Sequence, residues 1–189
     1  MVVFLISLAI LLIIFLLQIL YFFGFLKKAK IFKSLFWLII FIAVLIFIYL
    51  IFLQAKIWQE SSFSRFLVPP YKPFSFVIFY VLSHFGMNYL ISLGAALIFL
   101  IVSISFNNFF QKRFFEDEEP YLGSLAIFIL SYPYFLYYLV FVLGFGLLRA
   151  VFIYLIKKKK NRLSFYYLWL PLAIFTIIIK IWLIFHPLN

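Results

Sequence analysis

Apolar residues fall into five blocks along this chain, 2–26, 35–53, 74–106, 120–156 and 165–185, and most charges lie between them. A helix needs about 20 apolar residues to cross a bilayer. The first, second and last blocks each fit a single crossing, and the first is closed by Lys27, Lys28, Lys30 and Lys33. The blocks at 74–106 and 120–156, of 33 and 37 residues, are too long for one ordinary crossing. His84-Phe85-Gly86-Met87-Asn88 interrupts the first of these. It leaves two alternatives: one long tilted helix, or a short membrane-dipping piece followed by a span from about Met87. Ser131-Tyr132-Pro133 breaks the other block, and predicts a short helix followed by a full span from Pro133 to Ile156. Between the second and third blocks, Pro69-Pro70-Tyr71-Lys72-Pro73 ends a polar-leaning loop at 54–73, because proline in that density forbids a continuous helix. The pattern predicts an all-α polytopic transmembrane helix bundle of about 5–7 membrane segments, a single integral membrane domain over 1–189.

Composition agrees. Hydrophobic residues make up 69% of the chain and 30 of its 189 residues are Phe, more apolar surface than a soluble domain of this size can hide. Block 2–26 is too long for the apolar core of a signal peptide and has no basic residue before it, so a retained transmembrane helix is expected. With no Cys, disulfides and thiolate metal sites are excluded. The net charge of +11 comes from Lys and Arg in short loops beside apolar spans. That placement points to anionic lipid headgroups and control of orientation rather than to nucleic acid.

Loop charge orders the topologies only narrowly. If the 27–33 loop faces inside and only 120–156 is a hairpin, basic loop residues divide 11 inside to 3 outside. If 54–73 faces inside and both long blocks are hairpins, they divide 10 to 4. Trp58, Tyr71, Tyr121, Tyr132, Tyr134, Tyr166, Tyr167 and Trp169 lie near span ends, where amphipathic rings are expected to anchor at the headgroups. Ser92, Ala96 and Ser103 are expected to line one helix face, and Gly146 with Ala150 forms a small-xxx-small pair that lets backbones approach.

Ionisable or polar groups inside spans are functional candidates, because placing them there is costly. Arg149, Lys180 and His84 are the three. Arg149 lies eight residues before Lys157, about 12 Å along a helix, and Lys180 is similarly placed from the C-terminal end. Both stems reach far enough to snorkel toward an interface. His84 has only His186 as a second imidazole, too few ligands for a haem or metal site, and no cofactor is expected. No nucleophile elbow, phosphate loop or zinc-helix motif occurs. No span carries an internal carboxylate. Glu116-Asp117-Glu118-Glu119 is expected to be a solvated loop face. Its catalytic alternative is two carboxylates sharing a proton, with Asp117 or Glu119 paired to Glu60, the only acid elsewhere.

The order of features from 35 to 175 resembles the prepilin leader peptidases, a family of intramembrane aspartyl peptidases. The similarity runs through Leu93-Gly94-Ala95-Ala96-Leu97, the acidic step near Asp117 or Glu119, and Tyr132-Pro133. It continues through Phe141-Val142-Leu143-Gly144, the four lysines of 157–160 and Arg162-Leu163-Ser164-Phe165. The resemblance implies a bundle with two catalytic aspartates. The sequence departs from that pattern. Gln54, which cannot ionise, stands at the first catalytic position, with Lys56 in place of the following basic residue and no Ile-Pro after it. The glycines of the second motif are replaced by acids, and no Cys zinc module precedes the core. The resemblance therefore implies a degenerate member without the two-aspartate mechanism.

The leading functional expectation is a non-catalytic structural or accessory subunit of a membrane protein complex, in a bacterial or mitochondrial inner membrane. Richness in Phe, Ile, Lys and Tyr also fits a small hydrophobic subunit of a respiratory or ATP-synthase-type complex encoded in an AT-rich genome. The rival classes are a prepilin-peptidase-like aspartyl protease and a transporter or channel component organised on Arg149 and Lys180.

Overall fold

The computed structural model describes residues 2–23, 30–111, 115–157 and 165–186, and every regular element among them is helical. The chain runs α1 (Val2–Phe22), α2 (Lys30–Glu60), a short 3-10 turn (Ser64–Leu67), α3 (Phe74–Val81), a π-helical turn (Leu82–Gly86) and α4 (Met87–Phe109). It continues with α5 (Glu119–Leu130), α6 (Tyr134–Lys157) and α7 (Trp169–Phe185). Four helical stretches, Val3–Phe22, Ile31–Glu60, Phe74–Phe109 and Tyr134–Ile153, are long and apolar enough to cross a membrane. This is a helical integral membrane protein. The basic residues Lys27, Lys28, Lys112, Arg113 and those of 158–162 lie outside the described residues.

The alternatives left open for 74–106 are resolved in favour of one long helical path. His84-Phe85-Gly86 does not break the helix; it widens one turn to π geometry. The break expected at Ser131-Tyr132-Pro133 is present. Ser131 takes a positive φ of 58°, the Tyr132–Pro133 bond is cis, and α6 starts at the next residue.

Antiparallel neighbours organise the bundle. At one end of α1, Gln18 Nε2 donates to the Tyr166 carbonyl just before α7; at the other, Phe4 meets Lys180 near the end of α7. α4 and α5 run antiparallel in the same way. Asn107 brackets Phe115 with hydrogen bonds of 2.9 and 3.1 Å in the loop before α5. The Tyr132 N–H reaches the Asn88 carbonyl beyond its far end.

α5 is the centre of the body. Every residue from Glu119 to Leu130 is buried except Tyr121. Pro120 fits the first turn, where its missing N–H costs nothing, and the Ser124 hydroxyl donates back to the Pro120 carbonyl at 2.7 Å. α4 meets α5 through a buried stripe of Ser92, Ala96, Leu100, Ser103 and Asn107, which contains the small residues expected to share a face. Gly123 completes the fit: a Cβ there would stand 2.7 Å from the Phe99 ring and 3.1 Å from Trp169. Gly146 on α6 is likewise roofed by the Phe165 ring. Backbone approach at small residues supplies the van der Waals contact that holds helices together in lipid, where apolar burial gives little.

Candidate functional site

The bundle encloses polar side chains at two levels. At the first, α1, the start of α5 and the turn before α7 converge. The Tyr21 hydroxyl donates to Glu118 Oε1 at 3.1 Å, and Gln18 holds the Tyr166 carbonyl at 2.6 Å. Glu118 is buried and Glu119 has no exposed surface at all, whereas Glu116 is half-buried and Asp117 exposed. The acid run is therefore not a solvated face, as its local sequence suggests. The chain dives into the bundle at Glu119, so the last two acids are carried inside. Glu119 stands at the first residue of α5, ahead of the apolar block that begins at Pro120. The partial positive charge at the N-terminus of α5 favours that location for anions. Tyr166 lies in the turn preceding α7, where burial first, and then the charge of Glu118, push its phenol above the ordinary range.

At the second level stands Lys180. It is 6% exposed, and its ammonium lies 3.2 Å from the centroid of the Tyr134 ring and 3.4 Å from that of Phe4. Phe4 and Tyr134 meet edge to face at 6.4 Å and clasp the head between them. A Lys at the centre of a bilayer costs roughly 3 kcal/mol, and less nearer the interface. A desolvated cation–π contact contributes about 2 kcal/mol, so two rings offset that cost. Among the described residues Lys180 thus pairs with rings and not with a carboxylate. One helical turn from Tyr134, the hydroxyl of the fully buried Tyr138 has no hydrogen-bond partner among the described residues, and neither has the Trp169 indole N–H.

Helix geometry separates the candidates that the sequence pairs. The Phe36 ring packs on Tyr121 at 6.3 Å, so the start of α2 lies beside the acidic end of α5. Glu60 is 24 residues further along α2, about 36 Å away. It is exposed and 4.0 Å from Lys56. Glu60 therefore does not share a proton with Asp117 or Glu119. Gln54, at the first position of the peptidase resemblance, is about 27 Å along α2 from Phe36. Arg149 is half-buried, and about 22 Å along α6 from Tyr134 it belongs to the acidic end rather than to the level of Lys180. The His84 ring stacks on Tyr80 at 4.1 Å and its Nδ1 is 3.0 Å from the Tyr80 carbonyl. Among the described residues no three His, Cys, Asp or Glu side chains are grouped to hold a metal ion.

Several expected interface anchors are core residues. Trp169 is buried among Phe99, Phe115, Tyr138 and Phe165, and Trp58 packs on Tyr80 at 4.7 Å. Tyr166 is also buried. Position near a span end suggests the headgroup level, but α5 meets Trp169 at Gly123, and Trp58 is covered by Phe76 and Tyr80 and clusters with Val68, Val77 and Val81. Gln18, Tyr21, Asn107 and Tyr138 were not singled out from sequence, although Gln18, a lone amide within an apolar run, is a visible signal.

Comparison with protein families, with characterised proteins and with solved structures finds no match to this chain.

Proposed function

We propose that this chain is a non-catalytic multipass protein that acts as a structural or accessory subunit of a membrane complex. The observation that supports this is the separation of Glu60 from the acidic run. Glu118 and Glu119 are buried at one end of the bundle, and Glu60 stands at the far end of α2. Two carboxylates about 36 Å apart cannot share a proton or flank one scissile bond. A degenerate relative of the prepilin peptidases, and a small subunit of a respiratory-type assembly, are both forms of this reading.

The same geometry favours one orientation. If Phe74–Phe109 is one crossing and α5–α6 a hairpin, the loop count in the sequence assigns eleven Lys and Arg to the side of the acidic run and three to the other. The charge bias then directs the basic side to the cytoplasm or matrix.

Isolation from the native membrane in mild detergent, followed by mass determination of the intact particle, tests the proposal. A stoichiometric complex with other membrane subunits is the expected result. A lone monomer carrying peptidase or transport activity overturns it.

A further inference from the structure

We infer that the tip joining α2 to α3 is a binding surface for the anionic headgroup layer of the bilayer. Phe63, Phe66 and Tyr71 enter that layer, and Arg65 and Lys72 meet its phosphates. The tip connects two helical stretches that are each long and apolar enough to cross a membrane, Ile31–Glu60 and Phe74–Phe109, so it stands at a membrane face. It is a built turn. The Ser64 N–H donates to Ser61 Oγ and the Arg65 N–H to the Ser61 carbonyl. The Val68 N–H reaches the Arg65 carbonyl, and the Val68 carbonyl accepts from the N–H groups of both Tyr71 and Lys72. Val68 itself is buried in the cluster with Ile51, Ala55 and Trp58 of α2 and Val77 and Val81 of α3. The segment from Arg65 to Lys72 is thus pinned to the end of the helix pair.

That segment presents aromatic rings and positive charge together. Phe63 is 89% exposed, and the exposed rings of Phe66 and Tyr71 meet edge to face at 4.9 Å. The Arg65 guanidinium lies 5.2 Å from the centroid of the Phe66 ring, and the Lys72 ammonium 4.2 Å from that of Phe76. Both distances are within cation–π range, so the two charges are held at the level of the rings. Over 54–73 the basic residues are Lys56, Arg65 and Lys72 and the one acid is Glu60, which faces Lys56 at 4.0 Å.

The flanks set the depth. Phe52 of α2 packs on Phe74, the first residue of α3, at 6.0 Å. Both are exposed, as are Ile57, Ile78 and Phe79. These side chains bring hydrocarbon up to the foot of the tip, whereas the exposed Arg65 and Lys72 lie beyond it. Amphipathic and aromatic groups favour that boundary. Each cation adds roughly fivefold to the preference for a negative lipid surface. An acidic protein would satisfy the cations, but a lipid surface accounts for the charge and for rings standing where the hydrocarbon ends. The inference does not depend on whether the chain belongs to a complex.

The chain has no Cys, so Ser62→Cys, at an exposed position beside Phe63, gives a single site for a nitroxide label. The labelled full chain is reconstituted in vesicles of phosphatidylcholine alone and of equal parts phosphatidylcholine and phosphatidylglycerol. Power-saturation EPR then reads collisions of the label with a neutral, water-soluble nickel chelate. Phosphatidylglycerol should lower those collisions at least about threefold. Substituting Arg65→Gln and Lys72→Gln together should abolish the difference between the two vesicles. Phe63→Ser should raise the collisions in both, and Lys33→Gln, at the start of α2, should change neither. A label equally open to the chelate in both vesicles overturns the surface, and so does a difference that survives the double substitution. Shielding seen only in native membranes, and not in vesicles of lipid alone, also overturns it, in favour of a partner protein. Arg65, Lys72 and Phe63 are all exposed, so these variants keep the fold.

Discussion

α5 and α2 are both rich in apolar residues, yet the bundle treats them in opposite ways. The twelve residues of α5 are buried with one exception. In the thirty-one residues of α2, only Phe32 and Phe36 at one end and Ile51, Ala55 and Trp58 toward the other are buried, and the turns from Trp37 to Leu50 contribute none. What distinguishes them is size. α5 carries Gly123, Ser124 and Ala126 at its heart, whereas the middle of α2 is Ile, Leu, Val and Phe, with one Ala. In water the bulkier, greasier helix would be driven inside. In lipid both surroundings are equally apolar, and the helix whose neighbours can approach its backbone takes the interior.

The sharpest way to break this contrast is to remove the close approach. Gly123→Val places a branched side chain against Phe99 and Trp169. It should destabilise the bundle by about 3 kcal/mol, measured as a shift in unfolding midpoint in mixed micelles. The next effect concerns the polar end of α5. Tyr21→Phe removes the donor to Glu118 and should cost about 1–2 kcal/mol in the same assay. Unchanged stability there would show that other groups alone satisfy the buried carboxylate. The smallest effect belongs to α2. Ile46→Leu, at an exposed position, should shift the stability of the isolated protein by less than about 0.5 kcal/mol. Ile46→Trp should be equally silent in the isolated protein and should lower recovery of the assembled complex if α2 is the subunit's docking helix.

Much of this architecture is legible from residue pattern. Periodic runs of about 20 apolar residues, the Ser131-Tyr132-Pro133 break and the small stripe of α4 all act locally, within one or two turns. The acidic run is the instructive failure. Four consecutive acids look solvated because their neighbours in sequence are polar, and only the path of α5 carries Glu118 and Glu119 inward. Trp169 fails for the same reason: its position near a span end is a local property, while its burial depends on a glycine 46 residues earlier. The pairing of Lys180 with Phe4 joins opposite ends of the chain, and no spacing rule reaches that far.

The π turn at Leu82–Gly86 has a consequence for how this helix tolerates change in length. A π turn holds about one residue more than an α turn, which rotates everything after it by roughly 100°. Val77 and Val81 pack in the cluster with Ile51, Ala55 and Trp58 of α2, while the stripe from Ser92 to Asn107 faces α5. Val81 and Ser92 are eleven residues apart, three regular turns, so an uninterrupted α-helix would point both the same way. The extra residue lets one continuous rod serve two partners on different sides. Deleting a single position in this turn would leave the composition, the apolar profile and the crossing length nearly intact, yet would aim the rod's second half at the wrong neighbour.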